Sequence, residues 1–154
     1  MSGPRNERPF RVVQCVELGA PAAAVWQIVG GFYTLHLWHP DIQKTAVPAN
    51  QTEVAPLRRE LTFPGQPTTV EELLVQDNSQ WFYRYKWHAG EWGERVRNYY
   101  AEIRVFELDS DARSMLQWSS TFTYFEDALS EFYWNGFREL QRRFPLPSKA
   151  DLQT

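Results

Sequence analysis

Two charged residues interrupt rows of the chain that are otherwise apolar. In PLRRELTF (56–63), Arg59, Leu61 and Phe63 fall on one side of an extended segment. In TTVEELLVQ (68–76), Thr69, Glu71, Leu73 and Val75 do the same. Both rows are more apolar than their opposites, which carry Arg58, Glu60 and Glu72. Arg59 and Glu71 are therefore expected to face inward. An inward carboxylate is costly unless it is paired, and Arg59 on the neighbouring segment is the obvious partner. The pair admits two readings. Glu71 can act as a general base or acid tuned by burial, with Arg59 holding an enolate or carboxylate of a substrate. Equally, the two can form a cross-strand ion pair that braces a sheet without chemistry.

Aromatic hydroxyls and one imidazole could join them. QWFYRYKW (80–87) places Trp81, Tyr83, Tyr85 and Trp87 on one side, and NYYAEIRVFEL (98–108) does so for Tyr99, Ala101, Ile103 and Val105. SMLQWSSTFTY (114–124) adds Trp118, Ser120, Phe122 and Tyr124. Tyr83, Tyr85 and Tyr99 could stabilise an enolate or pass a proton, or could simply satisfy one another. His39 titrates in a useful range for a base and lies between Trp38 and Pro40. His36 is three residues away and His88 is distant. With a single cysteine, Cys15, and no ligand cluster, no metal site is expected. The chain has no Gly-rich phosphate loop, Ser-His-Asp set or nucleotide fingerprint, so no cofactor is expected.

These residues need a scaffold, and the last helical segment supplies its axis. In DALSEFYWNGFRELQRRF (127–144), Leu129, Phe132, Tyr133, Gly136, Phe137, Leu140 and Phe144 recur at spacings of three and four. That is the period of one helix face. Asp127 can cap its start, Arg138, Arg142 and Arg143 suit its C-terminal dipole, and Pro145 and Pro147 stop it. Trp134 falls off this face, as a dimer contact or against a neighbouring strand. Upstream, FRVVQCVEL (10–18) reads as a strand. AAAVWQIV (22–29) reads as a short helix with Pro21 at its first position, and FYTLHLW (32–38) as a second one. Strands follow over 42–47, 56–63, 68–76, 80–87, 98–108 and 114–124, with Pro64-Gly65 and Asp77-Asn78-Ser79 as turns. Residues 88–97 read as a loop carrying Trp92, a lid residue or a loop anchor. Hairpin succession argues against a doubly wound parallel sheet. The expected fold is α+β: a curved antiparallel sheet wrapped around the long C-terminal helix, with a pocket between them.

Composition bounds the reading. At 154 residues, 43% hydrophobic and 23% charged, this is one globular domain, expected over 10–145 between flexible tails 1–9 and 146–154. Aromatic residues reach 16%, with seven Trp, seven Tyr and ten Phe. Such rings can fill a core or line a ligand cavity, and the two are compatible. A net charge of −3 without a basic run argues against nucleic acid as partner. No stretch approaches the roughly 18 apolar residues of a membrane span, and the polar start MSGPRNERPF lacks a signal core. A cytoplasmic monomer or homodimer is expected.

The stretch APAAAVWQIVGGFYTLHLWHP (20–40) resembles the opening of the SRPBCC, START-like proteins of the polyketide cyclase/dehydrase group. The residues that carry it are Ala20-Pro21-Ala22, Val25-Trp26, Phe32 and Trp38-His39-Pro40. Arg59, Leu61, Phe63, Gly65, Glu71, Asp77, Tyr85, Tyr99, Ala101, Ile103, Val105, Trp118 and Phe122 extend it over about 10–144. GEWGERVRNY departs from the pattern by lacking a proline before Tyr99. The resemblance implies a helix-grip fold with a cavity for a small hydrophobic or aromatic molecule. Its walls would be Trp38, Leu61, Phe63, Leu73, Tyr83, Trp118, Ser120, Phe122 and the helix residues Phe132, Tyr133, Gly136, Phe137 and Leu140. It also implies that Trp38-His39-Pro40 shapes the entrance. The expected function is cyclisation or dehydration of that molecule, with Glu71, Arg59, Tyr85, Tyr99 and His39 as catalytic candidates. The alternatives are a non-catalytic carrier or sensor, and a co-chaperone-like interaction module.

Overall fold

The computed structural model describes residues 10–49, 51, 56–65, 67–89, 98–109, 112–123 and 129–147. Alternating and β-rich stretches become strands β1 (Phe10–Leu18), β2 (Lys44–Ala46), β3 (Arg58–Thr62), β4 (Thr69–Asp77), β5 (Phe82–Ala89), β6 (Tyr100–Asp109) and β7 (Arg113–Phe122). They form one seven-stranded sheet in the order β1-β7-β6-β5-β4-β3-β2, with every neighbouring pair antiparallel. Helix α1 (Ala22–Val29) follows β1, and helix α2 (Leu129–Arg143) ends the architecture. Among the described residues, no helix is long and apolar enough to cross a membrane.

Local chemistry explains most boundaries. Pro21 sits just before the first helical residue of α1, one position earlier than expected, with φ of −61°. Val25, Trp26 and Val29 of α1 are buried, and Gly30 closes the helix by donating its N–H to the Trp26 carbonyl at 2.8 Å. In the β4–β5 turn, the Asp77 carboxylate accepts from the Ser79 and Gln80 amides at 2.9 and 3.0 Å. This is the local bond that suits Asp to turns. Gly65 follows Pro64 with φ of +69°, the left-handed conformation that glycine adopts freely. The proposed cap Asp127 and the loop residue Trp92 lie outside the described residues.

Two further expectations are corrected. The second short helix over 32–38 is a single 3₁₀ turn, Leu35–Leu37. A continuous helix needs the His36 amide to bond the Phe32 carbonyl. Instead, Phe32 O accepts from Arg59 Nη1 at 2.8 Å, and the His36 amide donates to Thr45 Oγ1 at 3.2 Å. Val75 does not share the inner row of β4. Leu73 pairs with Tyr85 but Val75 with Arg84, so Leu74 is an extra residue that bulges and reverses the alternation. Val75 turns outward, and Gln76 turns inward to donate to the Gly30 carbonyl at 2.9 Å.

The core lies between the concave face of the sheet and the helices. Trp118 is its hub. It stacks on Tyr133 with centroids 4.3 Å apart, and lies 5.4 to 6.5 Å from Phe132, Trp38, His39 and Phe137. Gly136 of α2 allows this approach. A Cβ there would lie 2.6 Å from His39 Cδ2 and 3.0 Å from Trp38 Cζ3. Trp134 rests against β1, its Nε1 donating to Gln14 Oε1 at 3.0 Å. Past the end of α2, the Gly19 amide donates to the Phe144 carbonyl at 2.9 Å, and a Cβ on Gly19 would collide with the Pro145 carbonyl.

Candidate functional site

β3 and β4 place Arg59 directly opposite Glu71, and the next strand places Trp87 opposite Glu71 in turn. Arg59 is fully buried. Its Nε and Nη2 donate to one carboxylate oxygen, Glu71 Oε1, at 2.9 and 2.8 Å. Nη1 donates to the Phe32 carbonyl at 2.8 Å and to the Tyr83 hydroxyl at 3.3 Å. The guanidinium also lies over the rings of Phe32 and Tyr85, 4.4 and 4.7 Å from their centroids. A buried cation held by an anion, two oxygens and aromatic faces has its charge compensated on every side. Burial opposes that charge, but Tyr83, Glu71 and Tyr85 outweigh it and keep Arg59 protonated.

Glu71 keeps 9% of its side chain accessible while Arg59 keeps none. Among the described residues, no hydrogen bond reaches its second oxygen, Oε2. Burial pushes the Glu71 carboxyl above the ordinary carboxylate value, and the charge and hydrogen bonds of Arg59 pull it back only in part. Burial also raises the phenols of Tyr83, Tyr85, Tyr99 and Tyr133, and the Glu71 charge adds to each. One carboxylate therefore acts electrostatically on four buried hydroxyls. Those hydroxyls are organised: Tyr99 and Tyr133 share a hydrogen bond of 2.8 Å, and Trp118 Nε1 donates to the Tyr85 hydroxyl at 2.9 Å.

His39 has a different environment. Its Nδ1 accepts the Asp41 amide at 3.1 Å, so the proton sits on Nε2 and is donated to the Phe132 carbonyl at 2.6 Å. The ring stacks on Phe132 with centroids 4.0 Å apart. Burial lowers its pKa to about 4, although the Phe132 carbonyl and Asp41 favour the charged form. Both nitrogens are occupied by backbone, and the imidazole pins the start of α2 to the segment after the 3₁₀ turn.

The structure brings Arg59, Glu71, Tyr83 and Tyr85 into one cluster, and joins it through Trp118 to Tyr133 and Tyr99. Of the expected wall residues, Trp38, Leu61, Tyr83, Trp118, Ser120, Phe122, Tyr133, Gly136, Phe137 and Leu140 are buried in the core. Phe63, Leu73 and Phe132 are half-buried, and Phe63 and Phe132 face each other with centroids 5.7 Å apart. Trp87 on β5 is half-buried as well, and Glu71 opposite it keeps 9% of its side chain accessible. Thr69 and Trp87 fall on the expected inner rows but carry no role that residue type alone suggests. Their signal is register: Trp87 is opposite Glu71, and Thr69 is two residues before it. A shallow cleft of about 160 Å³ opens on the other face of the sheet, lined by residues including Arg11, Leu74, Arg84, Tyr100 and Glu102. Its charged residues are Arg11 and the Arg84–Glu102 ion pair, and against its partial burial the Glu102 carboxyl is pulled below the ordinary value by Arg104 and Arg84 together.

Comparison with known proteins places this geometry. A family model described as polyketide cyclase/dehydrase and lipid transport matches residues 9–144. Among curated proteins none matches the chain. Solved structures do. An uncharacterized protein from Bacillus thuringiensis is 29% identical over 88% of this chain and 98% of its own, with a TM-score of 0.76. The protein XoxI from Bacillus cereus is 28% identical over 94% of this chain and 98% of its own, again with a TM-score of 0.76. The major latex-like protein 151 of Panax ginseng shares the fold at 12% identity, with a TM-score of 0.72 over 89% of this chain and 98% of its own. With its helix-grip architecture and a match across nearly its whole length, the chain belongs to the polyketide cyclase/dehydrase and lipid transport family of SRPBCC, START-like proteins.

Proposed function

We propose that the chain binds a small hydrophobic or aromatic molecule at the inner surface around Glu71 and promotes its cyclisation or dehydration by acid/base assistance. One observation carries this reading. A buried carboxylate is anchored through a single oxygen by a fully buried arginine, and its side chain retains access. Burial raises the Glu71 carboxyl above the ordinary carboxylate value, the direction that makes it a stronger base. Glu71 takes a proton from a carbon between two carbonyls, the enolate carbon adds to a further carbonyl of the same molecule, and the proton passes from Glu71 to the new alkoxide oxygen. Arg59 opposes loss of the charge on Glu71, and the apolar walls hold the chain of the substrate in a reactive fold. His39 positions the start of α2, since both its nitrogens are occupied by backbone groups.

A carrier or sensor reading has its own support. The Tyr99–Tyr133 and Tyr85–Trp118 bonds already satisfy hydroxyls that a proton relay would use. Native mass spectrometry of the protein purified from cells, with the released molecules identified, tests both. Those molecules are then offered to the wild type and to Glu71→Gln, with folding checked by circular dichroism. Conversion by the wild type and none by the variant, with binding retained, supports the acid/base reading. Conversion that survives in Glu71→Gln removes Glu71 as the base. Binding without conversion by either identifies a carrier.

A further inference from the structure

We infer that Thr69 and Trp87 form a subsite beside Glu71 that holds a carbonyl or phenolate oxygen of the ligand. The inference rests on the reading above that this inner surface takes an apolar molecule, and it names the polar group that molecule carries.

Thr69 Oγ1 and Trp87 Nε1 are both buried and, among the described residues, have no hydrogen-bond partner. A buried donor with an unmade bond is destabilising, so such groups ordinarily have partners. Both flank the same carboxylate. Thr69 lies two residues before Glu71 on the inner row of β4, and Trp87 is directly opposite Glu71 on β5. The register keeps this placement across a bulge. Val70 pairs with Ala89 and Glu71 with Trp87, which leaves His88 as the extra residue and keeps Trp87 inward. Among the described residues Glu71 bonds neither neighbour: Oε1 accepts from Arg59, and no hydrogen bond reaches Oε2.

The donor types define the ligand. An indole N–H only donates, so Trp87 requires an acceptor. A threonine hydroxyl can donate to the same atom. A ligand hydroxyl could serve Thr69, but only an acceptor lone pair serves Trp87. An sp² oxygen has two lone pairs and can take both bonds. The carbon attached to such a carbonyl is then brought to Glu71, where its proton is acidified by the two donors. Other unpartnered groups do not share this location. Trp38 packs against Gly136 and Trp118 under α2, Ser114 pairs with Leu18 at the far end of β1, Ser120 pairs with Ala101 between β7 and β6, and His36 lies in the 3₁₀ turn.

Two probes of matched size separate the outcomes, 2-acetylnaphthalene and 2-isopropenylnaphthalene, titrated calorimetrically into the full chain. The wild type is expected to bind the ketone about tenfold more tightly, the factor for one hydrogen bond that is otherwise unmade. Thr69→Val and Trp87→Phe each remove a donor while keeping shape, and each is expected to bring the ratio of the two affinities toward one. Circular dichroism checks that each variant is folded, and Thr69→Val stands if Trp87→Phe does not fold. Equal affinities in the wild type overturn the subsite alone. A ketone preference that survives in folded variants also overturns it. Failure of both probes to bind overturns the subsite together with the ligand reading on which it rests.

Discussion

The His39 environment makes stability depend on pH with a definite sign. In the folded chain, Nδ1 accepts the Asp41 amide and Nε2 donates to Phe132 O, so protonation breaks one of the two bonds. An unfolded histidine titrates at about 6.5, and burial lowers the folded value to about 4. A lowered histidine favours folding while both states are neutral. That advantage is full above the unfolded value and is lost as pH falls toward the folded value, because the unfolded chain binds the proton first. Linkage gives a loss of about 2 kcal/mol between pH 7 and pH 5 and about 3 kcal/mol by pH 4. His39→Gln supplies the amide N–H to Phe132 O without a titrating proton. The assay is urea unfolding of wild type and variant at pH 7, 6 and 5. The wild type should lose about 2 kcal/mol more than the variant over this range. Carboxylates and the remaining histidines are common to both and cancel. Parallel pH dependences would refute the reasoning, as would an NMR titration of His39 with its midpoint at 6.5 or above.

Further outcomes follow from single contacts. Gly136→Ala forces a methyl to within 2.6 Å of His39 and 3.0 Å of Trp38, both held in the core. Overpacking of this kind costs about 1–3 kcal/mol, visible as a lower urea midpoint, and an unchanged midpoint would contradict the tight α2 packing. Arg59→Met leaves Glu71 buried without its cation and should cost about 3–5 kcal/mol in thermal or urea unfolding. Adding Glu71→Gln to it should recover part of that loss, and additive losses would show that the two side chains are not coupled.

Arg59 and Glu71 could be read as an inward pair because strand alternation is local. A period of two assigns faces without knowledge of the fold, and a buried charge demands an opposite one. The same argument yields the C-terminal helix, since Phe132, Tyr133, Gly136, Phe137 and Leu140 recur on one face whatever they touch. The seven antiparallel strands follow in the same way from patterned stretches separated by turn residues. The rest depended on partners far apart in the chain. The helix expected over 32–38 fails because Arg59 and Thr45 take the backbone groups it needs. Val75 faces outward because a bulge after Leu73 reverses a period that the residues themselves keep. His39 is neutral and structural in its bonding because Phe132, ninety-three positions away, accepts its proton. Thr69 and Trp87 gain meaning only when β4 and β5 pair and, among the described residues, no protein atom satisfies them. Periodicity encodes which way a side chain faces, because backbone geometry sets it within a few residues. What meets the side chain there is set by packing and register between distant segments, and only the tertiary structure decides it.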